Sequence, residues 1–293
     1  MAGDLQFFLQ VLLWGLYAGC IYILLATGLN LIFGVMKVVN FAHGQLLMIG
    51  AYITFTFYAL SGWNPYVLIA ASFPLLVLLG VIIERLCFRP ILGTGKLNEI
   101  FISIGLIYIL EIAAALIWTD EWREIQSPYS EMWVTIAGVR FPVDYLIIIA
   151  TTILILLALW AFLRRTRLGK AVRATSQNRS AAMLMGINVE KMDMLTFGIG
   201  AGIAGAAGTL WVVSGQVFNP YMGSLPAIKA FAIIIIGGLG SIPGAIIGGL
   251  IYGVVENFAI TALGGAWKDA ISFLLLIIVL VVRPTGIFGE SGE

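Results

Sequence analysis

Charged side chains are scarce in this chain of 293 residues. Only 11% are Asp, Glu, Lys or Arg, whereas 61% are hydrophobic, and the mean hydropathy is +1.04. A soluble protein of this length needs more charge to cover its surface. The composition therefore predicts a multi-pass membrane protein surrounded by lipid, and we expect no nucleic acid among its partners.

Residues that bind metals or perform catalysis are also few. His43 is the single histidine, and Cys20 and Cys87 stand at no ligand or disulfide spacing. The segment LGTGKL at 92–97 lacks the first glycine and the Ser or Thr of a phosphate-binding loop. No nucleophile has a plausible base partner. We expect no metal site, no cofactor in this chain, no ATP hydrolysis and no enzymatic activity.

Long apolar runs dominate what remains. A hydrocarbon core of about 30 Å needs about 20 helical residues to cross it. On that basis the sequence predicts spans at 6–33, 42–60, 64–85, 98–118, 143–163, 192–213 and 269–283. Residues 227–262 hold two apolar runs and either cross once or fold as a hairpin. The predicted fold is an all-α transmembrane bundle of about eight spans with broken or re-entrant helices, in one domain covering 1–293.

Basic residues set the predicted orientation. The loop 164–191 carries a dense run of Lys and Arg, and Arg85, Arg89 and Lys96 follow the third span. Loops rich in Lys and Arg face the cytoplasm. This places the amino terminus outside, together with the segment 119–141. Its aromatic residues favour a cap on the outer membrane surface, although contact with an external partner fits them as well. The carboxyl terminus is cytoplasmic if 227–262 is a hairpin and external if it crosses once.

The basic loop contains the pattern of a short helix. Asn178 is a good N-cap, RSAAMLM favours a helix, and Gly186 stands where a left-handed C-cap is expected. The face carrying Ala181, Ala182 and Met185 is small and apolar and suits a groove in another protein. A basic loop lying on anionic lipid is the alternative.

Two stretches interrupt the helical pattern at predicted membrane depth. One is 33–45, with Asn40, His43 and Gln45; the other is 237–244, whose glycines include Gly237, Gly238 and Gly240. Irregular backbone inside a membrane is tolerated where protein or water satisfies it, so these stretches could line a substrate path. They could also be ordinary cytoplasmic turns.

Two acidic residues fall inside predicted spans. Glu111 and Glu256 are candidates for function because buried charge in a membrane is costly. Interhelical hydrogen bonding is the alternative, and Lys229 could approach Glu256 if 227–262 folds as a hairpin. The small residues of 197–210 predict close helix packing.

Three segments carry a family resemblance. Residues 28–52 (GLNLIFGVMKVVNFAHGQLLMIGAY) and 219–256 resemble the signature segments of the branched-chain amino acid permeases of the LivH type. The run from Ala181 through Gly186 to Ile187 resembles the coupling loop of ABC importer permeases. The resemblance covers about residues 8–289. It implies an ATPase-coupling role for residues of the basic loop, namely Arg173, Asn178, Arg179, Ala181, Ala182 and Gly186.

The resemblance also implies a function and an assembly. We expect uptake of leucine, isoleucine and valine across the inner membrane of a prokaryote. The expected partners are a second, similar permease subunit, two cytoplasmic ATPase subunits that bind the ATP, and an external solute-binding protein. Urea and short amides are alternative substrates. An ion-driven secondary transporter is the alternative mechanism, and Glu111 and Glu256 would then supply the charged groups of its ion site.

Overall fold

The computed structural model describes residues 2–136, 138–283 and 286–288. Residues 1, 137, 284, 285 and 289–293, which the predicted single domain includes, lie outside this part. The described helices are α1 (Ala2–Met36), α2 (His43–Ser61), α3 (Ile69–Ile83), α4 (Lys96–Trp118), α5 (Val143–Arg165), α6 (Arg167–Gln177), α7 (Arg179–Leu184), α8 (Val189–Val213), α9 (Ser224–Gly237), α10 (Ile242–Leu263) and α11 (Lys268–Val282).

The prediction of a helical membrane bundle is confirmed. Within the described ranges, eight helices are long and apolar enough to cross a membrane, and α9 is a shorter apolar helix. A π-helical turn at Glu84–Phe88 and a 3₁₀ turn at Arg89–Ile91 extend α3. Another 3₁₀ turn, Gly265–Trp267, precedes α11. The sheet in these ranges is one antiparallel hairpin of β1 (Trp133–Ile136) and β2 (Val139–Pro142).

The two ends of the bundle differ in charge. One end holds the last turn of α1, the start of α4, helices α6 and α7, and the turn between α9 and α10. Of the sixteen Lys and Arg residues, twelve lie on segments at this end: Lys37, Arg85, Arg89, Lys96, Arg164, Arg165, Arg167, Lys170, Arg173, Arg179, Lys191 and Arg283. Such asymmetry makes this the cytoplasmic end, as the sequence predicts.

The path of the last third of the chain is a hairpin followed by a further span. Helices α9 and α10 pack closely around Gly237 and Gly244, at the turn that joins them. The backbone N–H groups of Ile287 and Phe288 donate to the carbonyls of Ile236 and Gly237, at 2.8 and 3.0 Å. Residues 286–288 therefore lie at the cytoplasmic end, which settles the alternative that the sequence leaves open.

Helix α8 is the centre of the packing, and its small residues allow this. A methyl group at Gly208 would collide with the carbonyl of Leu47 on α2, and one at Gly200 would collide with that of Gly28 on α1. Three hydroxyl groups join α2, α3 and α8, because Thr209 Oγ1 lies 2.7 Å from both Thr54 Oγ1 and Ser72 Oγ. The predicted close packing of 197–210 is confirmed.

The outer segment 119–141 ties the external loops together rather than forming a helix. Arg123 and Phe218 exchange two backbone hydrogen bonds of 2.9 Å. Ser127 and Tyr66 both donate to Asp144, at 2.5 and 2.6 Å. Burial, with the hydrogen bond to Asp144, raises the pKa of the Tyr66 hydroxyl. The segment covers the outer end of the bundle.

Candidate functional site

Helices α6 and α7 form the structured part of the cytoplasmic loop. Thr166 caps α6 by accepting from the Gly169 N–H at 2.9 Å. Asn178 caps α7 by accepting from the Ala181 N–H at 2.9 Å. Gly186 has a φ of +81°, and the N–H of Ile187 reaches back to the Ala182 carbonyl at 3.0 Å. Both caps that the sequence predicts for α7 are present.

Two arginines of this loop hold it against the bundle. The guanidinium of Arg179 makes two parallel hydrogen bonds to the buried carboxylate of Asp193 on α8. Arg173 Nε donates to the carbonyl of Leu163, at the end of α5, at 3.0 Å. A bidentate Arg–carboxylate pair fixes orientation as well as distance. The position of α7 is therefore determined by its own chain.

The exposed side of α7 is apolar. Ala182 is buried against its own chain, whereas Ala181 and Gly186 are exposed. The most exposed apolar side chains are those of Leu184 (89%) and Met185 (83%). Sequence reasoning had selected Ala181, Ala182 and Met185 and had missed Leu184. We call Met183, Leu184 and Met185, all exposed, the apolar tip of α7.

The polar residues at the start of α2 are buried inside the bundle. Asn40 Oδ1 accepts from the Ala42 N–H at 3.0 Å and closes a turn before α2. His43 is fully buried beside Gly28, which stands eight residues, or about 12 Å of helix, before the end of α1. Helix α2 therefore begins well inside the bundle, as the irregular stretch 33–45 predicts.

Gln45 joins three helices through a buried hydrogen-bond cluster. Its Nε2 donates to Glu111 Oε1 on α4 at 2.8 Å and to Ser224 Oγ on α9 at 3.3 Å. Ser224 also donates to Glu111 Oε1, at 3.2 Å. Glu111 is thus satisfied by interhelical hydrogen bonds, which is the structural alternative considered for it above.

Another irregular stretch, 214–223, which lies before α9, also enters the bundle. Its last residue, Gly223, contacts the backbone of Gly44 and the side chain of Gln45. Glu111, at the same level, stands seven residues, or about 10 Å, inside the outer end of α4. The sequence analysis missed this re-entrant stretch. Pro220 and two flanking glycines, Gly215 and Gly223, were the available signal.

The glycines predicted for a substrate path lie elsewhere. Gly237, Gly238 and Gly240 form the cytoplasmic turn between α9 and α10, with φ of +103° at Gly238 and +87° at Gly240. Asn30 on α1 holds this turn by accepting from the Gly240 N–H at 2.6 Å and donating to the Ser241 carbonyl at 2.7 Å. The segment therefore forms the turn at the basic end of the bundle, held by Asn30 six residues before the end of α1. Its place beside a substrate path stays a prediction.

Glu256 belongs to a cluster of charges between α9, α10 and α11. Lys229 Nζ lies 2.6 Å from Glu256 Oε1 and 3.0 Å from Asp269 Oδ1. It also lies 5.6 Å from the ring centroid of Tyr22. Lys229 and Glu256 are both buried. The expectation that a hairpin would bring them together is confirmed.

The spanning bundle, its buried polar groups and its basic end are those of an integral membrane protein. A family model described as the permease component of the branched-chain amino acid transport system matches residues 11–280. The chain belongs to this family. It is a multi-pass protein of the inner membrane.

Named relatives agree with the family. The permease protein LivH of the high-affinity branched-chain amino acid transport system of Salmonella typhimurium is 37% identical, over 99% of this chain and 98% of the relative. BraD of Pseudomonas aeruginosa, with the same description, is 37% identical over 98% and 97%. LivM of Salmonella typhimurium is 28% identical over 91% and 67%. These relatives are transport permeases rather than enzymes. No solved structure matches the chain.

Proposed function

We propose that this chain is the membrane-spanning subunit of an ABC importer that moves branched-chain amino acids into the cell. Separate cytoplasmic ATPase subunits bind and hydrolyse the ATP, and an external solute-binding protein delivers the substrate. The family and the names of its relatives support the substrate. The apolar tip of α7 is the observation that supports coupling to the ATPase subunits.

The apolar tip has the properties of a docking surface. It exposes Leu184 and Met185 almost completely at the cytoplasmic end, while caps and the Arg179–Asp193 pair keep α7 in place. Large apolar side chains on a rigid, exposed helix indicate a protein interface. In this proposal Ala181 and Gly186 border the contact, and Arg173, Asn178, Arg179 and Ala182 position it.

A second permease subunit completes the proposed assembly. Both LivH and LivM relatives match the chain, and each is a permease protein of a branched-chain system. This favours a heterodimer of two related permeases with two ATPase subunits. Asn40, His43, Gln45 and Glu256 are proposed to lie beside the translocation path. All four are buried in the single chain, so the path must open by movement of the helices that carry them.

Reconstitution tests the proposal. The chain is placed in proteoliposomes with its second permease, the ATPase subunits and the binding protein, and uptake of radiolabelled leucine is followed. We expect uptake to require ATP and to persist when ion gradients are collapsed. Urea should not compete. Uptake that continues without ATP and stops with the ion gradient would instead favour a secondary transporter.

A glycine variant tests the coupling site itself. G186L should leave the protein in the membrane but abolish the stimulation of ATP hydrolysis by substrate, because the new side chain projects into the docking surface. G93L is the matched control. Gly93 also has a positive φ (+84°) and open space around it, so both variants carry similar backbone strain. Normal coupling in G186L, or equal loss in G93L, would contradict the docking role.

A further inference from the structure

A small cavity lies in the outer half of the bundle, between α1, α5, α8, α10 and α11. Its volume is about 210 Å³, below the range of about 300–1,000 Å³ typical of drug-sized ligands. Aromatic and aliphatic side chains form most of its wall. Gln216, in the loop after α8, and Lys268, the first residue of α11, border it at the outer end. The cavity is therefore suited to one small solute entering from outside.

The cavity wall includes Glu256, which belongs to the buried charge cluster described above. Glu256 lines the cavity, and together with Asp269 it shares the single ammonium group of Lys229. Lys229 compensates the buried charge of Glu256, and Asp269, the other partner of Lys229, is 47% exposed. A carboxylate has about four lone-pair sites, so Glu256 can accept a further hydrogen bond from a donor in the cavity while it stays paired with Lys229. The ring of Tyr22, also in the wall, attracts a cation as well.

The other residues of the cavity wall indicate which further groups the ligand carries. Lys268 borders the cavity and supplies a positive charge that attracts a carboxylate. Ile21, Ile260 and Trp211 supply apolar surface for an aliphatic group. We propose that this cavity is a binding site for a zwitterionic aliphatic amino acid on its way in, with Glu256 receiving the amino group. The inference rests on the proposed function and locates its external substrate site.

Two neighbouring positions on α10 allow a matched test. Ile260 lines the cavity, whereas Thr261 is exposed and points elsewhere. I260C and T261C are made in the full transporter after Cys20 and Cys87 are replaced by alanine. Their reaction rates with a thiol reagent added from outside are then measured with and without millimolar leucine. We expect leucine to slow labelling of I260C at least about fivefold and to leave T261C unchanged.

Analogues and a charge variant test the polar groups. The amine 3-methylbutylamine lacks the carboxylate of leucine, and 4-methylpentanoate lacks its amino group. Each should protect I260C only at concentrations about tenfold higher or more, because one charged hydrogen bond is lost. E256Q should raise the leucine concentration for half protection by a similar factor. In that variant Lys229 keeps Asp269 as a partner. If E256Q does not reach the membrane, the analogue series decides alone.

The outcomes separate this inference from the function on which it rests. Equal labelling of I260C with and without leucine, in a transporter that takes up leucine with ATP, overturns the cavity site and leaves the function standing. Protection of T261C to the same extent also overturns it, because that result reports a general conformational change. Failure of leucine uptake by the unaltered transporter overturns the function instead.

Discussion

Replacing Leu184 by alanine should weaken ATPase binding without weakening the fold. Its side chain is 89% exposed in the single chain, so docking can bury nearly all of it. The substitution removes three carbon atoms, each contributing about 0.8 kcal/mol when buried, or about 2.4 kcal/mol together. Since about 1.4 kcal/mol corresponds to a factor of ten, the dissociation constant should rise about 50-fold.

The measurement is a titration of the purified ATPase subunit onto the permease in nanodiscs. The melting temperature of the permease should hardly change, because surface substitutions usually alter stability by less than about 0.5 kcal/mol. L97A is the matched control, since Leu97 is 68% exposed at the same end of the bundle on a different helix. An unchanged dissociation constant for L184A, or an equal rise for L97A, would refute the assignment of the apolar tip.

Three further substitutions test the scaffold. G208V should overpack the contact between α8 and α2, lowering the free energy of unfolding by about 1–3 kcal/mol or more and the melting temperature with it. G105V should leave the melting temperature unchanged, because there is open space around Gly105. R179A should lower the free energy of unfolding by about 1–3 kcal/mol and reduce coupled ATP hydrolysis, because buried Asp193 loses its partner. Adding D193N to R179A should restore most of the stability. K229M should reduce the amount of folded protein in the membrane, measured by size-exclusion chromatography, because it leaves a buried carboxylate uncompensated. Unchanged melting of G208V or R179A, or normal yield of K229M, would contradict these assignments.

The sequence was sufficient to predict the spans and to predict that the basic segments lie at one end of the bundle. Long apolar runs identify spanning helices, since the thickness of the hydrocarbon core fixes their length. The helix ends differ from the predictions by a few residues, as with α8, which begins at Val189 rather than 192. Lys and Arg clusters identify the cytoplasmic end. The pairing of Lys229 with Glu256 was predictable because a buried charge needs a partner.

Depth and helix rotation were not predictable from the same patterns. For the glycine-rich turn that includes Gly240, the sequence left a substrate path inside the membrane and a cytoplasmic turn both open, because composition reports flexibility, not depth. The re-entrant stretch 214–223 reads as an outer loop because it is short and contains glycines and a proline, which are typical of turns. The rotation of α7 depends on the Arg179–Asp193 pair, which is a tertiary contact. Local sequence alone therefore could not show that Ala182 faces inward and Leu184 outward.

The attachment of α7 to α8 has a mechanical consequence. A force on Leu184 is transmitted to α8 through the bidentate ion pair of Arg179 and Asp193, which is more rigid than a flexible linker. Helix α8 in turn touches its neighbours backbone to backbone at glycines such as Gly200 and Gly208, where no compressible side chain can absorb displacement. A shift of a few ångströms at the cytoplasmic surface should thus travel as one rigid-body motion to the helices that enclose the buried polar groups.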